Sequence, residues 1–231
     1  TTTPALLAQS SSMGTRKIVA LASDEVYSFD DVALCSDGSL FRDPFGSGVE
    51  EVATGDLVGK VVSRIARGSS HFLARCSDGA LVSWGGNETG QLGIGSFSGS
   101  APPTLVDRSG VLAGKSVVSL SAASSRSHVI CSDGTLVGWG GTHLGNAISS
   151  SNVPMVINGG IAEGKSFLSI GSGSSHVAAA CSDGNFISWG LNTNGQLGSG
   201  ATSAPQMTPV EVLRTGFLAG TAALQASPAG S

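Results

Sequence analysis

Residues 68–95 read GSSHFLARCSDGALVSWGGNETGQLGIG, and residues 173–198 read GSSHVAAACSDGNFISWGLNTNGQLG. Both stretches hold, in one order, a histidine, a Cys-Ser-Asp-Gly tetrapeptide, a short apolar run that ends in Trp-Gly, and a Gly-Gln-Leu-Gly turn. Ser-Asp-Gly between two apolar runs is a hairpin signal, because Asp and Gly tolerate the backbone angles of a tight turn. The two stretches therefore predict a repeated unit of short antiparallel strands.

Self-comparison extends this unit over the whole chain. Cys-Ser-Asp-Gly occurs four times, at intervals of roughly 40 to 55 residues, which is typical of propeller blades and solenoid arrays. A second half-unit of the form Gly-x-x-x-Gly, followed by an apolar run, occurs at 55–65, 110–120, 160–170 and 216–224, and a fragment of it at 14–21. Glycine interrupts every apolar window, which disfavours helix.

We therefore predict an all-β, propeller-like array of about four four-stranded antiparallel blades in a single repeat domain, residues 1–231. The approximate blades are 4–46, 47–95, 102–146 and 154–200, with a left-over half-blade at 205–225. The sequence does not decide whether four such blades close a small propeller, form an open arc or belong to something larger.

Composition excludes several classes of function. Charged residues are only 12 % and the net charge is −4, so we expect no nucleic-acid partner. No apolar stretch approaches 18 residues, so we expect no membrane insertion. The chain starts without Met, a basic segment or an apolar leader. Together with the low charge and the 34 glycines, this start favours a processed protein in an extracellular or cell-surface location, with a cytoplasmic one left open.

Four repeated positions are best interpreted as scaffold. The cysteines occupy equivalent places in blades that are about 10 Å apart, too far for a disulfide, so free buried thiols are expected. The aspartates have sufficient reason in their turns. The tryptophans suit packing between blades better than a sugar platform, and the histidines suit hydrogen bonds between blades. These positions are Cys35, Cys76, Cys131, Cys181, Asp37, Asp78, Asp133, Asp183, Trp84, Trp139, Trp189, His71 and His176.

Recognition is expected in the loops after each Trp-Gly, which vary between repeats, since loops on a rigid scaffold carry most binding sites. The insertions at 95–101 and 148–153 also vary. The candidate binding residues are Asn87, Glu88, Thr89, Thr142, His143, Asn192, Thr193 and Asn194. Asn87-Glu88-Thr89 also fits the N-glycosylation pattern, which is common by chance.

The repeated motifs resemble the regulator-of-chromosome-condensation repeat family, in the form found in many bacterial proteins. The match is strongest over 68–95 and 173–198. The first copy departs from it, because Asp43 stands where the Trp belongs and the Gly-Gln-Leu-Gly turn is missing. Asp30 and Arg126 replace the histidine in two copies. Family members usually close as seven blades, which this chain is too short to supply.

The function favoured by these observations is a non-catalytic binding or structural module that acts through protein contacts, with copies of itself among the partners if its open edges self-assemble. No catalytic residues, metal ligands or cofactors are predicted, because no nucleophile elbow or ligand spacing is present. The resemblance implies two alternatives. One is guanine-nucleotide exchange on a small GTPase of the Ran type, for which no matching wedge insertion exists. The other is a secreted enzyme inhibitor or lectin-like binder, for which aromatic residues are scarce.

Overall fold

The computed structural model describes residues 14–23, 31–43 and 48–214, and these form sixteen strands in four sheets. Blade 1 holds β1 (Ile18–Ala22), β2 (Val32–Cys35), β3 (Leu40–Arg42) and β4 (Glu50–Glu51). Blade 2 holds β5 (Val62–Arg67), β6 (His71–Cys76), β7 (Leu81–Gly86) and β8 (Ser100–Leu105). Blade 3 holds β9 (Val117–Ala123), β10 (Arg126–Cys131), β11 (Leu136–Gly140) and β12 (Ser151–Val156). Blade 4 holds β13 (Phe167–Ser172), β14 (His176–Cys181), β15 (Phe186–Gly190) and β16 (Gln206–Glu211).

Each blade is an antiparallel meander in which every strand pairs with the next one in sequence. Within the described ranges the only helical segments are short 3₁₀ turns, at Gly55–Leu57 and Gly160–Ala162. The predicted all-β fold of four four-stranded antiparallel blades is thus confirmed.

The Cys-Ser-Asp-Gly element forms a tight hairpin between the second and third strands. In blade 2 the N–H of Gly79 donates to the carbonyl of Cys76 at 3.0 Å, and the N–H of Cys76 donates to that of Ala80 at 2.8 Å. Gly79 has φ +85°, a region that only glycine adopts at little cost. The turn chemistry of this tetrapeptide therefore sets the register of the strands that follow it.

The position after each tryptophan requires glycine for a different reason. Gly85 has φ +99°, and a Cβ placed there would lie 2.4 Å from the carbonyl oxygen of Ser70. Gly140 and Gly190 show the same close approach to Ser125 and Ser175. The Trp-Gly pair is repeated because the chain must pass this near its neighbouring turn.

The core lies between the blades. Successive side chains of a strand face opposite sides of the sheet, so that in β6 Phe72 and Ala74 pack toward blade 1, whereas Leu73 packs toward blade 3. A third cluster joins blades 3 and 4 around Trp189. The first strands contact one another in the order β1, β5, β9, β13, so the four blades stack radially in sequence order.

The structure corrects the predicted blade boundaries. The strand after each Trp-Gly loop, β8, β12 or β16, is the fourth strand of the same sheet, whereas the prediction placed these segments between blades or in the next one. Residues 206–211 of the supposed left-over half-blade therefore complete blade 4, and residues 18–22 begin blade 1. The reason is that an antiparallel strand pairs most easily with the strand just before it. Residues 4–13 of the predicted first blade and the segment 216–224 lie outside the described residues.

Candidate functional site

The meander topology gives the array two distinct rims. Because strand direction alternates, the Ser-Asp-Gly turns all lie at one rim, and the loops after Trp-Gly all lie at the other. We call the first the turn rim, which holds residues 36–39, 77–80, 132–135 and 182–185. The second is the loop rim, which holds the connections 87–99, 141–150 and 191–205. The predicted scaffold and binding residues divide between these rims and the blade junctions.

The aspartates lie on the turn rim, each paired with a cation of its own blade. Asp78 accepts a hydrogen bond from the N–H of Ala80 at 2.9 Å, and the Nζ of Lys60 lies 2.6 Å from its other oxygen. The same arrangement joins Asp133 to Lys115, Asp183 to Lys165 and Asp37 to Arg16. Hydrogen bonds from Ser39 and Arg16 lower the pKa of Asp37 to about 2. Each carboxylate is thus occupied within its own turn.

The four cysteines end the second strand of each blade, where they are buried and free of disulfides. Burial raises the pKa of all four thiols, and that of Cys181 to about 11. A thiol that is inaccessible and protonated is a poor nucleophile and a poor metal ligand.

The tryptophans all lie between blades, but they are not equivalent. Trp139 donates its indole N–H to the carbonyl of Gln91 at 3.0 Å, and Trp189 donates to that of His143 at 2.9 Å. Both acceptors belong to the loop of the preceding blade. The ring of Trp84 stacks on Phe72 at 5.1 Å, and its buried Nε1 has no hydrogen-bond partner among the described residues.

The histidine position also joins blades. His71 Nε2 lies 2.9 Å from the hydroxyl of Ser127 in blade 3, and burial lowers the pKa of His71 to about 4. Arg126, at the matching position in blade 3, donates to the carbonyls of Gly173 and Ser174 in blade 4. His176 is buried, and burial lowers its pKa. Asp30 lies outside the described residues.

Sequence reasoning missed one buried histidine. His128 is fully buried, its Nδ1 lies 3.2 Å from the hydroxyl of Ser172, and its ring packs against that of Trp189 in a T-shaped arrangement. Burial, aided by the charge of Arg126, lowers the pKa of His128 far below its usual value. No repeat signal marks it, since the corresponding positions in blades 2 and 4 are Leu73 and Ala178.

Two of the predicted binding residues are scaffold. Asn87 is fully buried, with its Oδ1 accepting from the N–H of Leu92 at 3.0 Å and its Nδ2 donating to the carbonyl of Ser96 at 3.0 Å. Asn192 makes the same pair of contacts, to Leu197 and Ala201. These amides shape the loop from inside, so the prediction that they face a partner is wrong. The nitrogen that a glycan would require on Asn87 is buried and already donating.

The other loop residues do reach the surface of the loop rim. Glu88, Thr142, Thr193 and Asn194 are exposed, whereas Thr89 and His143 are half-buried. Thr89 donates through its N–H and its hydroxyl to the side-chain carbonyl of Gln91, at 2.9 and 2.8 Å. The exposed side chains therefore stand on loops that are held by internal hydrogen bonds.

A cleft of about 500 Å³ opens on the same rim between blades 1 and 2. Its lining includes Trp84 and Phe72, Pro102 and Pro103 of β8, and Glu50 and Glu51 of β4. Apart from Trp84, sequence analysis singled out none of these residues, because the eroded first repeat offers no motif to mark them.

Within the described residues, no group of three or more His, Cys, Asp or Glu side chains is placed to hold a metal ion. None of the helical segments described is long and apolar enough to cross a bilayer.

Comparison with known proteins identifies the repeat. Models described as "Regulator of chromosome condensation (RCC1) repeat" match residues 62–91, 167–196 and 78–131. The ultraviolet-B receptor UVR8 of Arabidopsis thaliana is 35 % identical over 90 residues, which cover 39 % of this chain and 20 % of the receptor. The resemblance that the motifs indicated is thus confirmed.

Solved structures support the same fold. Human WBSCR16 is 26 % identical with a TM-score of 0.72, over 85 % of this chain and 53 % of that one. Prp20p from Saccharomyces cerevisiae is 21 % identical with a TM-score of 0.70, over 87 % of this chain and 51 % of that one. The chain spans about half the length of these structures and 20 % of UVR8. The four blades therefore superpose on part of a larger propeller.

Proposed function

We propose that this chain, whose blades are repeats of the regulator-of-chromosome-condensation type, is a non-catalytic module that binds a protein partner through its loop rim. The observation that carries the proposal is the placement of the variable, exposed side chains Glu88, Thr142 and Thr193 on that rim. The repeated residues, in contrast, make the hydrogen bonds and packing contacts of the turns and blade junctions. Surface loops that differ on a common scaffold are where recognition concentrates.

Preorganisation of the loops supports this role. In blades 2 and 4 a buried asparagine side chain bridges two parts of the loop after Trp-Gly. A serine hydroxyl holds the middle of the same loop. The Ser83 hydroxyl donates to the carbonyl of Leu92 at 2.7 Å, and the Ser188 hydroxyl donates to the carbonyl of Leu197 at 2.6 Å. A loop that is already ordered loses less conformational entropy when a partner binds.

The geometry of the polar groups argues against catalysis. His71 and Ser127 lie at the 2.9 Å distance of a base and a nucleophile. Both residues are fully buried, however, and the Ser127 hydroxyl donates a hydrogen bond to the carbonyl of Gln91 at 2.9 Å. A substrate cannot reach a pair that is enclosed within a blade junction, and a catalytic group must be within reach of the reacting atom.

The proposal does not rest on the binding partners of similar proteins. Prp20p is described by its binding to Gsp1p and histones, but at 21 % identity the likeness concerns the fold alone. An extracellular or cell-surface location remains part of our proposal, with the low content of charged residues as its support. Fractionation of the producing cells tests it.

Site-specific photo-crosslinking tests the proposal. A photoreactive phenylalanine analogue is placed at Glu88, Thr142 or Thr193 on the loop rim, and at Ser77, Ser132 or Ser182 on the turn rim as matched exposed controls. We expect a discrete crosslinked protein from the loop-rim positions in the native host. Equal yields from both rims, or crosslinks from the turn rim alone, would contradict the proposal.

A second candidate, self-association, is favoured by the outer face of blade 4. At the junction of blades 2 and 3, a Cβ on Gly90 would lie 2.6 Å from Asn152, and one on Gly93 would lie 2.6 Å from Trp139. Among the described residues, the matching Gly195 and Gly198 approach only Thr202 and Val212 of their own blade. The left-over half-blade predicted at 205–225 does not supply this edge through its described strand, because β16 pairs with β15, but the face is shaped to receive another blade.

Light scattering at increasing concentration tests this candidate. Self-association through blade 4 predicts a rising mass that Gly198→Trp abolishes by filling the face, while Gly164→Ser on the turn side of blade 4 leaves it unchanged. A mass that stays monomeric at millimolar concentration would exclude it.

A further inference from the structure

Two of the three blade junctions share one hydrogen bond. Trp139 donates to the carbonyl of Gln91, and Trp189 donates to the carbonyl of His143. In each case a glycine of the same loop lies against the ring: a Cβ on Gly93 would be 2.6 Å from Nε1 of Trp139, and one on Gly145 would be 2.9 Å from Nε1 of Trp189. A glycine-containing turn whose main-chain carbonyl accepts the indole N–H is thus what this tryptophan position accommodates.

The connection that precedes Trp84 in blade 1 has a different sequence. β3 ends at Arg42 and β4 begins at Glu50, so this connection is far shorter than the 87–99 loop of blade 2, and residues 43–49 contain no Leu-Gly pair. Trp84 is only 6 % exposed, and its N–H has no hydrogen-bond partner in the part of the chain that the structure describes. A buried donor without an acceptor costs free energy, and an incoming carbonyl would remove that cost.

The cleft described above lies at this junction. Trp84 and Phe72 supply a stacked aromatic wall, and Pro102 and Pro103 of β8 line the cleft as well. Its volume of about 500 Å³ falls in the range of peptide- and ligand-sized sites.

Carboxylates dominate the charge of the mouth. Arg42 pairs with Glu50 at 2.7 Å, and the neighbouring Glu51 is exposed. With one cation and two carboxylates, the mouth carries a net negative charge, which favours a basic group in whatever enters.

From these observations we infer that the cleft binds a glycine- and leucine-containing turn of a protein partner, with a main-chain carbonyl that accepts the Trp84 N–H and a flanking Lys or Arg that meets Glu51. The inference rests on the proposed function, since it names the kind of segment that one part of the loop rim binds. The two intact junctions are the precedent for this occupant, because in each the indole N–H donates to the carbonyl that precedes a Leu-Gly pair.

Nuclear magnetic resonance of the indole N–H groups tests the inference with the whole chain. The probe is the acetylated and amidated peptide Lys-Thr-Gly-Gln-Leu-Gly-Lys, titrated into ¹⁵N-labelled protein whose indole signals are assigned with Trp→Phe variants. We expect the Trp84 signal to shift and its solvent exchange to slow, while the signals of Trp139 and Trp189 stay in place. No shift at millimolar peptide, or equal shifts of all three signals, would overturn the inference.

A charge variant provides the matched control. Glu51→Lys is expected to weaken peptide binding by roughly two- to fivefold, as for an exposed ion pair, whereas Glu163→Lys, an equally exposed site on the opposite rim of blade 4, should leave it unchanged. Equal effects of the two variants would also overturn the inference. If the peptide fails while crosslinks from Glu88 and Thr193 persist, this inference falls and the proposed function stands.

Discussion

At the scale of single residues, the three tryptophans can be compared directly, because they occupy equivalent positions but differ in the hydrogen bonding of the indole N–H. They occupy one position of the repeat and are all at least nine-tenths buried, but Trp139 and Trp189 donate a hydrogen bond across a junction and Trp84 does not. The difference coincides with a change in the preceding blade, because residues 43–49 of blade 1 contain no Leu-Gly pair like those that follow the two acceptor carbonyls.

We predict that Trp139→Phe destabilises the chain by about 1 kcal/mol more than Trp84→Phe, in free energies of unfolding from urea titration. Both substitutions leave a comparable void, but only the first removes a buried hydrogen bond, which contributes about 0.5–1.5 kcal/mol net. Equal losses, or a larger loss for Trp84→Phe, would show that the indole hydrogen bond does not distinguish the junctions.

The asparagines show how far residue-level prediction reaches. The prediction includes Asn87 and Asn192 among the binding residues because they belong to the loops after Trp-Gly, which vary between repeats. Each stands five positions before a leucine in both full copies of the repeat, and that repetition was the available signal for a scaffold role. The free loop residues, such as Glu88 and Thr193, are the ones that do not recur.

At the scale of strands and turns, the Gly-Gln-Leu-Gly turn has the same conformation in blades 2 and 4 but different surroundings. Gly93 and Gly198 have φ +68° and +64°, so an alanine at either position incurs a similar backbone penalty. An added methyl group meets the Trp139 ring at Gly93, whereas at Gly198 it meets the Val212 side chain at 3.1 Å.

Gly93→Ala is therefore expected to be more destabilising than Gly198→Ala by about 1–3 kcal/mol, the usual cost of overpacking a filled interface. Differential scanning calorimetry of the two variants measures this difference. If the two costs are equal, either the blade 4 turn is covered by another part of the protein or the blade 2 junction yields easily.

The blade junctions also predict a dependence of stability on pH. Burial holds the pKa of His71 at about 4 and that of His128 lower still, against about 6.5 in an unfolded chain. Between these values the unfolded state binds the proton and the folded state does not. Stability is thus complete above pH 6.5 and decreases as the pH falls toward 4.

Each of these two histidines should lower the free energy of unfolding by about 2 kcal/mol between pH 7 and pH 5, measured by urea titration. The lowered pKa values of His143 and His176 act in the same direction, and the turn aspartates titrate below this window. His71→Asn should remove about 2 kcal/mol of the dependence. A flat profile between pH 5 and 7 would mean that the rings are not buried as neutral groups.

The repeats in the sequence could not predict at which strand each blade begins. Recurrence of Cys-Ser-Asp-Gly and Trp-Gly determines which residues are equivalent, but it is silent on which strand begins a sheet. Strand pairing decides this, and it places β8, β12 and β16 at the ends of their own blades.

At the scale of the whole molecule, the sequence was sufficient to predict the fold class and the number of blades, because turn chemistry and strand alternation are local properties. The relation between the ends of the array depends on contacts over long distances in sequence. The first strands contact one another in the series β1, β5, β9, β13, and the four blades match about half of each solved propeller. Such an array presents the loop rim and also the outer face of blade 4.

The most direct test of the central claim is hydrogen–deuterium exchange of the chain with and without the partner captured by crosslinking. The account predicts slower exchange in the loop-rim segments 87–99, 141–150 and 191–205, and no change in the turns at 77–80, 132–135 and 182–185. Slower exchange at the turn rim, with the loop rim unchanged, would contradict the claim that this protein binds its partner through the loops after Trp-Gly.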